Sequence, residues 1–179
     1  MKYDDKIMDI DDIQVTIPYQ KIPIIIPFGP ENCGKTMMIY RLCRYLYTKG
    51  YQVNPVRIFR PSWDQHYQYN CENFHKSLCE SIVPNTTGIL LLEVKDPKGY
   101  LICYLLDVGG DCYFDPNNPN APYPTFIHQI IHSPNPKQFI YFVEPYWADL
   151  MTRKHYVSSI NRWQMHFDSQ KNTAIILYN

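Results

Sequence analysis

The sequence has no excess of charge of either sign and no apolar run long enough to cross a bilayer. Its 179 residues carry 17 basic and 17 acidic side chains, so no basic face predicts binding to nucleic acid or to an anionic membrane. The longest apolar runs fall far short of the roughly 20 residues that a transmembrane helix needs. These absences argue against nucleic acid and membrane as partners.

The chain also lacks the marks of a secreted or lipid-anchored protein. Its first twelve residues are too acidic for a signal peptide, and Lys2 stands where a myristoylated chain has glycine. Six cysteines occur without a C-x-x-C pair, which fits free thiols in a reducing compartment better than a disulfide framework. The sequence therefore predicts a cytoplasmic protein.

The most informative pattern is the segment from Gly29 to Thr36, which reads Gly-Pro-Glu-Asn-Cys-Gly-Lys-Thr and fits G-x-x-x-x-G-K-[ST] without a gap. An apolar run over residues 22–28 leads in as a short buried strand would, although Pro23 and Pro27 cannot donate to a sheet. A helical pattern leads out and is predicted to stop at Lys49-Gly50. The apolar face predicted for this helix consists of Met38, Ile39, Leu42, Tyr45 and Leu46.

Strand, glycine-bounded loop and helix are the parts that phosphate binding requires. The glycines let backbone N–H groups turn toward an anion, and the helix N-terminus adds the positive end of its dipole. Lys35 is predicted to reach the β- and γ-phosphates, and Thr36 to place its hydroxyl on Mg²⁺. The alternative interpretation is a glycine turn with an exposed lysine. The predicted nucleotide-binding residues here are Gly29, Glu31, Asn32, Cys33, Gly34, Lys35 and Thr36.

A second motif, Asp107-Val108-Gly109-Gly110, follows the apolar run at residues 100–106. At the end of a strand downstream of a phosphate loop, such an aspartate holds Mg²⁺, and the glycine N–H is free to bond the γ-phosphate. The apolar residues 89–94 precede it, and a turn at residues 95–99 predicts that the two strands form an antiparallel hairpin. Asp107 is therefore a predicted metal ligand, and Gly110 a predicted nucleotide contact.

Together with Asn85-Thr86-Thr87-Gly88-Ile89, the hairpin and the Asp-Val-Gly-Gly motif resemble switch I through switch II of a small GTPase. The arrangement is similar to that of the Arf-like branch of the TRAFAC-type, Arf- and Ras-like proteins. The resemblance implies that Thr86 closes on Mg²⁺ and the γ-phosphate, with Thr87 as the alternative. It also implies an α/β P-loop NTPase fold with a mostly parallel sheet, one antiparallel hairpin and helices on both faces.

The rest of the chain continues in the order of that family. Residues 137–144 are predicted to form a strand, residues 147–163 an amphipathic helix, and residues 173–179 a last strand. In GTPases this strand ends in the guanine-reading Asn-Lys-x-Asp, and Asn179 stands where that motif begins. The resemblance therefore implies that Asn179 lies at the nucleotide base, and we expect the chain to be a domain cut at this point.

Three further features depart from the family pattern. Asp111 replaces the glutamine that orients the attacking water, so hydrolysis by the usual route is doubtful. The segment 50–85 is about twice the usual length, with a predicted helix at residues 72–82; it is interpreted as a packing element, a partner surface, or a source of a catalytic arginine, Arg57 or Arg60. A proline-rich loop at residues 115–124 replaces the start of the switch II helix and precedes a predicted helix from Thr125 to His132.

These patterns predict an acidic N-terminal extension at residues 1–21, with an edge strand as one interpretation, and a GTPase-like domain at residues 22–179. The predicted function is Mg²⁺-dependent binding of GTP and GDP, as a switch that a protein partner reads through the switch regions or the aromatic-rich insert. Hydrolysis is expected to be slow or to depend on a partner, with Asp111, Arg57 and Arg60 as the catalytic candidates. The alternatives are a non-hydrolysing P-loop scaffold and a P-loop ATPase or kinase.

Overall fold

The structure is a computed structural model that describes residues 17–57, 65–80, 83, 88–112, 123–143 and 172–178. In these ranges the chain forms six strands, three α-helices and a short 3₁₀ turn at Gly110–Cys112. In chain order the elements are β1 (Ile24–Phe28), α1 (Lys35–Thr48), β2 (Gln52–Pro55), α2 (Gln65–Glu80), β3 (Ile89–Lys95), β4 (Leu101–Val108), α3 (Thr125–His132), β5 (Lys137–Val143) and β6 (Asn172–Tyr178).

The strands form a single mixed sheet in the order β2-β3-β4-β1-β5-β6. β1 pairs in parallel with both β4 and β5, and β5 pairs in parallel with β6. β3 runs antiparallel to both β4 and β2. The predicted α/β class and the predicted antiparallel hairpin are confirmed, while the second antiparallel pairing, with β2, was not predicted.

Helices pack on both faces of this sheet. Ile127, Ile130 and Ile131 of α3 line a small apolar cavity with Leu106 of β4, together with Ile26, Phe28 and Phe139. Asp107, the next residue of β4, contacts α1 on the opposite face, as the alternation of side chains along a strand requires. α1 and α2 therefore cover one face and α3 covers the other.

Turn chemistry and helix periodicity located several elements correctly. α3 has the predicted bounds, and α1 ends at Thr48, with Gly50 at φ 78° just beyond. In the hairpin turn, the Gly99 N–H donates to the Asp96 carbonyl over 2.8 Å, as expected of a turn with glycine at its fourth position.

Two local predictions were wrong. α2 begins at Gln65 rather than at Glu72, because Tyr67 and Cys71 extend its buried face by about two turns before Phe74. Tyr45 is 59% exposed, since the buried face of α1 runs instead through Ile39, Tyr40 and Cys43.

Other predictions fall on parts of the chain outside the described residues. These are residues 1–16 of the N-terminal extension, the threonine pair at residues 86–87, most of the proline-rich loop and the helix at residues 147–163. Residues 17–21, the described end of the extension, form a bend and a turn and no strand. Within the described ranges, none of the helices combines the length and the apolar character needed to cross a membrane.

Candidate functional site

The glycine-bounded loop, residues 29–36, lies at the carboxyl end of β1 and leads directly into α1. Asn32 and Gly34 adopt left-handed backbone conformations, with φ of 58° and 94°, and α1 begins immediately after Gly34. In the sheet, β1 lies between β4 and β5. After β4 the chain passes to the other side of β1 to form β5, so the direction in which strands are added reverses at β1. Such a reversal point at the carboxyl ends of parallel strands is where open α/β sheets bind ligands.

The side chain of Lys35 is held across this loop. Its ammonium group donates to the Pro30 carbonyl over 2.5 Å and lies 3.8 Å from Sγ of Cys33. The Cys33 thiol itself donates to the same carbonyl over 3.0 Å. Lys35 is only 5% exposed, so its positive charge lies inside the loop and not in solvent. The alternative of a turn with an exposed lysine is therefore wrong.

A hydroxyl from the loop end meets a carboxylate from β4. Oγ1 of Thr36 donates to Oδ1 of Asp107 over 3.2 Å, although 71 residues separate them in the chain. Asp107 is 1% exposed. The expected proximity of these two side chains is present, and their role as metal ligands stays a prediction.

The donor set is compatible with a hard divalent cation. Hydroxyl and carboxylate oxygens are the ligands that Mg²⁺ prefers, and Mg²⁺ keeps several waters and phosphate oxygens rather than an all-protein cage. Among the described side chains there is no group of three or more His, Cys, Asp or Glu residues that could hold a metal by themselves. Two protein oxygens supplemented by phosphate and water suit Mg²⁺ better than a zinc-type site.

The end of β4 also contacts the backbone of the loop. A Cβ atom built on Gly110 would lie 2.2 Å from the Glu31 nitrogen and 2.4 Å from the Pro30 carbonyl carbon, so only glycine fits here. Gly109 donates its N–H to the Gly88 carbonyl over 2.9 Å, which fixes the approach of this segment from the β3 side. Gly110 thus lies against the loop, beside the residues predicted to bind phosphate.

Further along α1, the face that carries Thr36 places two buried side chains near Asp107. Burial, and next the negative charge of Asp107, raise the pKa of Tyr40 to about 12. The same two causes, in the same order, raise the pKa of Cys43 to about 12. Tyr40 was not predicted as a site residue from the sequence, although its position four residues after Thr36 puts it on the same helix face.

The remaining predicted site residues are Arg57, Arg60, Thr86, Asp111 and Asn179. Thr86, Arg60 and Asn179 lie outside the described residues, and Asp111 is in the 3₁₀ turn after Gly110. Arg57 is exposed beyond β2, and β2 lies three strand spacings, about 14 Å, from β1. Burial raises the pKa of the Cys71 thiol on α2, and the positive charge of Arg57 is among the causes that oppose this rise.

Comparison of the sequence with models of protein families and with curated proteins, and of the fold with solved structures, gives no match.

Proposed function

We propose that this chain is a P-loop domain that binds a guanine nucleoside triphosphate with Mg²⁺ and acts as a GTPase-like switch. The observation that carries the proposal is the 3.2 Å contact between Thr36 and Asp107. A hydroxyl at the start of a helix and a carboxylate at the end of a neighbouring strand are the two protein groups that hold Mg²⁺ beside the phosphates in P-loop NTPases. Thr36 and Asp107 are 71 residues apart in the chain, so their contact comes from the fold and not from closeness in sequence.

The residues of the loop supply the phosphate site. The N–H groups at the start of α1 and around the left-handed Asn32 and Gly34 provide an anion-binding concavity. Lys35 carries a buried positive charge, which a triphosphate would neutralise through charge-assisted hydrogen bonds. Thr36 and Asp107 would hold Mg²⁺, which when bound neutralises charge on the phosphate oxygens.

The proposed base is guanine, on the strength of the resemblance in the switch motifs, and adenine is the competing outcome. Slow or partner-dependent hydrolysis is proposed because Asp111 follows Gly110 in the position of the water-orienting glutamine. An ionised carboxylate cannot donate a hydrogen bond and repels the phosphoryl group that is being transferred. The second candidate function is a scaffold that binds nucleotide without hydrolysing it. Asp111 in place of the glutamine favours this candidate too.

Titration with fluorescent GTP and ATP, with Mg²⁺ and with EDTA, tests the proposal. Lys35→Ala is expected to weaken triphosphate binding by at least about a hundredfold, because charged hydrogen bonds to two phosphates are lost. Thr36→Ala should reduce the affinity measured in Mg²⁺ to the value in EDTA. Lys49→Ala, at the exposed end of α1, is the matched control and should bind like the wild type. Equal affinities of the wild type and the Lys35→Ala variant for both nucleotides would overturn the proposal.

A further inference from the structure

Cys33 lies inside the loop at residues 29–36, packed against the first residue of that loop. Only 2% of its surface is exposed. A Cβ atom built on Gly29 would lie 2.9 Å from Sγ of Cys33 and also 2.9 Å from Cβ of Phe142, which belongs to β5. The thiol therefore occupies space that a side chain at residue 29 would need, and it is part of the packed interior of the loop.

The Pro30 carbonyl joins this thiol to Lys35. The carbonyl oxygen accepts from the Cys33 thiol over 3.0 Å and from the Lys35 ammonium over 2.5 Å. The two donors also lie close to each other, with 3.8 Å between Sγ and Nζ. Because a carbonyl oxygen has two lone pairs, it can accept both bonds at once. The three groups thus form one hydrogen-bonded cluster.

This cluster restricts a side chain that is flexible by nature. Lysine carries its charge on a four-carbon stem with several rotatable bonds, yet Lys35 is only 5% exposed and its ammonium group contacts both Pro30 and Cys33. An ammonium group has three N–H donors, so Lys35 can keep both contacts and still donate to a phosphate. Holding a charged group in place before its ligand arrives lowers the entropy cost of binding.

We propose that Cys33 is a positioning residue that holds Lys35 in place for the triphosphate. The inference rests on the proposed function, in which Lys35 binds the phosphates. The S–H group orients the Pro30 carbonyl, and that carbonyl fixes the ammonium. A side chain of similar size without a donor would leave the carbonyl with Lys35 alone, so the ammonium would be held less firmly although the loop stayed packed.

Titration with fluorescent GTP in Mg²⁺ separates the role of the donor from that of packing. Cys33→Ala and Cys33→Val both remove the thiol, the first leaving space and the second filling it. Both should weaken binding about three- to tenfold, the size of one hydrogen bond. Cys33→Ser keeps a donor and should stay within about twofold of the wild type. Loss of affinity in all three variants, or in Cys33→Ala alone, would show that Cys33 only fills space and would overturn the inference.

Cys71→Ala is the matched control, because Cys71 is also buried but lies on α2, in the hydrophobic core. It should lower the melting temperature and leave the affinity for GTP unchanged. In the Lys35→Ala background, Cys33→Ala should weaken the residual binding by less than about twofold, because the group that Cys33 positions is gone. An equal loss in both backgrounds would overturn the inference, since Cys33 would then act without Lys35.

The ammonium group of Lys35 supplies a readout that needs no nucleotide. Its nitrogen NMR signal, assigned by its loss in Lys35→Ala, should show slow proton exchange with water in the wild type and in Cys33→Ser, because hydrogen-bonded protons are protected. Exchange should be faster in Cys33→Ala and Cys33→Val. The same exchange rate in all of these proteins would overturn the inference and leave the proposed function intact. A wild type that binds neither GTP nor ATP would overturn both, even where the ammonium signals differ.

Discussion

The two sides of β1 differ in backbone pairing, and the candidate site lies on the side of β4, where fewer residues of β1 have register partners. Toward β5, all five residues of β1 have register partners, from Ile24 opposite Lys137 to Phe28 opposite Tyr141. Toward β4, only Ile24 and Ile25 do, opposite Tyr104 and Leu105. The ladder with β5 therefore runs along all of β1, whereas the ladder with β4 stops before Pro27.

Pro27 explains how the interruption can be tolerated. The Ile24 N–H donates toward β5, to the Pro136 carbonyl, and the Pro23 carbonyl accepts from Tyr104 of β4. Since successive residues of a strand point their backbone groups to alternate sides, position 27 faces β4. Proline has no N–H, so β1 offers no backbone donor to β4 at the position where the ladder stops. Side-chain and loop contacts at Asp107 and Gly110 then take over from the ladder.

Among the substitutions on the β4 side of β1, Gly110→Ala is expected to have the largest effect on nucleotide binding and stability. The added methyl group would lie 2.2 Å from the Glu31 nitrogen, a backbone atom that cannot turn away, so the loop or β4 must shift. We expect triphosphate binding to be lost, with destabilisation of about 1–3 kcal/mol and a melting temperature lower by roughly 2–12 °C. Calorimetric titration and thermal melts measure both effects.

Gly99→Asn is the control for this substitution. Gly99 has φ +87°, a Cβ there would meet nothing within 4 Å, and asparagine tolerates this backbone conformation better than other residues do. It should bind like the wild type. A Gly110→Ala variant that binds GTP as tightly as Gly99→Asn would show that the close approach of Gly110 to the loop has no part in binding.

Asp111→Gln tests the chemistry proposed for the same side of β1. Replacing a carboxylate by an amide removes repulsion toward the transferring phosphoryl group and adds a donor for water. Single-turnover GTP hydrolysis should become faster by up to about tenfold or stay unchanged, relative to a slow wild type. A wild type that hydrolyses GTP quickly alone, and loses this activity in Asp111→Gln, would make Asp111 itself catalytic.

Unfolding at alkaline pH tests the part of the β1–β4 ladder that is formed, where Tyr104 lies opposite Ile24. Burial, and next the charge of Glu93, raise the pKa of Tyr104 from 10.0 to about 12. Between these values the unfolded chain releases the phenolic proton while the folded chain keeps it, so stability falls as the pH rises from 10 to 12. Tyr104→Phe should lose less stability over this window than the wild type, by on the order of 1 kcal/mol after screening by water.

Urea unfolding at pH 8, 10, 11 and 12 measures this difference, with Tyr45→Phe on the exposed face of α1 as the control. Equal loss of stability in the wild type and in Tyr104→Phe would show that the pKa of Tyr104 is not raised by folding.

The elements that are determined by residues close to them in the chain could be predicted from the sequence. The Asp96 to Gly99 turn, the end of α1 just before Gly50 and the bounds of α3 follow from turn residues and helix periodicity. β2 was missed because its four residues, Gln-Val-Asn-Pro, show neither high strand propensity nor a long apolar run. Its place in the sheet comes from pairing with β3.

The candidate site divides in the same way. The loop and the Asp-x-x-Gly motif were visible because glycine spacing is a backbone requirement, and the contact of Thr36 with Asp107 followed from the order of motifs. Tyr40 was missed because its burial depends on α2, whose start at Gln65 was placed too late and whose packing on α1 is tertiary. Tyr45 was assigned to the buried face by its apolar character, whereas burial on α1 depends on which face α2 and the sheet cover.

Pro27→Val gives the smallest expected effect and asks whether the gap beside β4 depends on the missing donor alone. Pro27 is buried, so valine introduces an N–H into the gap, and an unpaired buried donor costs about 1 kcal/mol or more. Losing the rigidity of proline adds a further cost by enlarging the freedom of the unfolded chain. We expect destabilisation of about 1 kcal/mol, rapid exchange of the new amide, and an unchanged Mg²⁺ requirement. If the variant is instead more stable and its new amide is protected from exchange, the new N–H has found an acceptor on β4. The missing donor of Pro27 would then be the reason why the pairing of β1 with β4 stops there. A simultaneous fall in GTP affinity would then show that binding needs the gap itself.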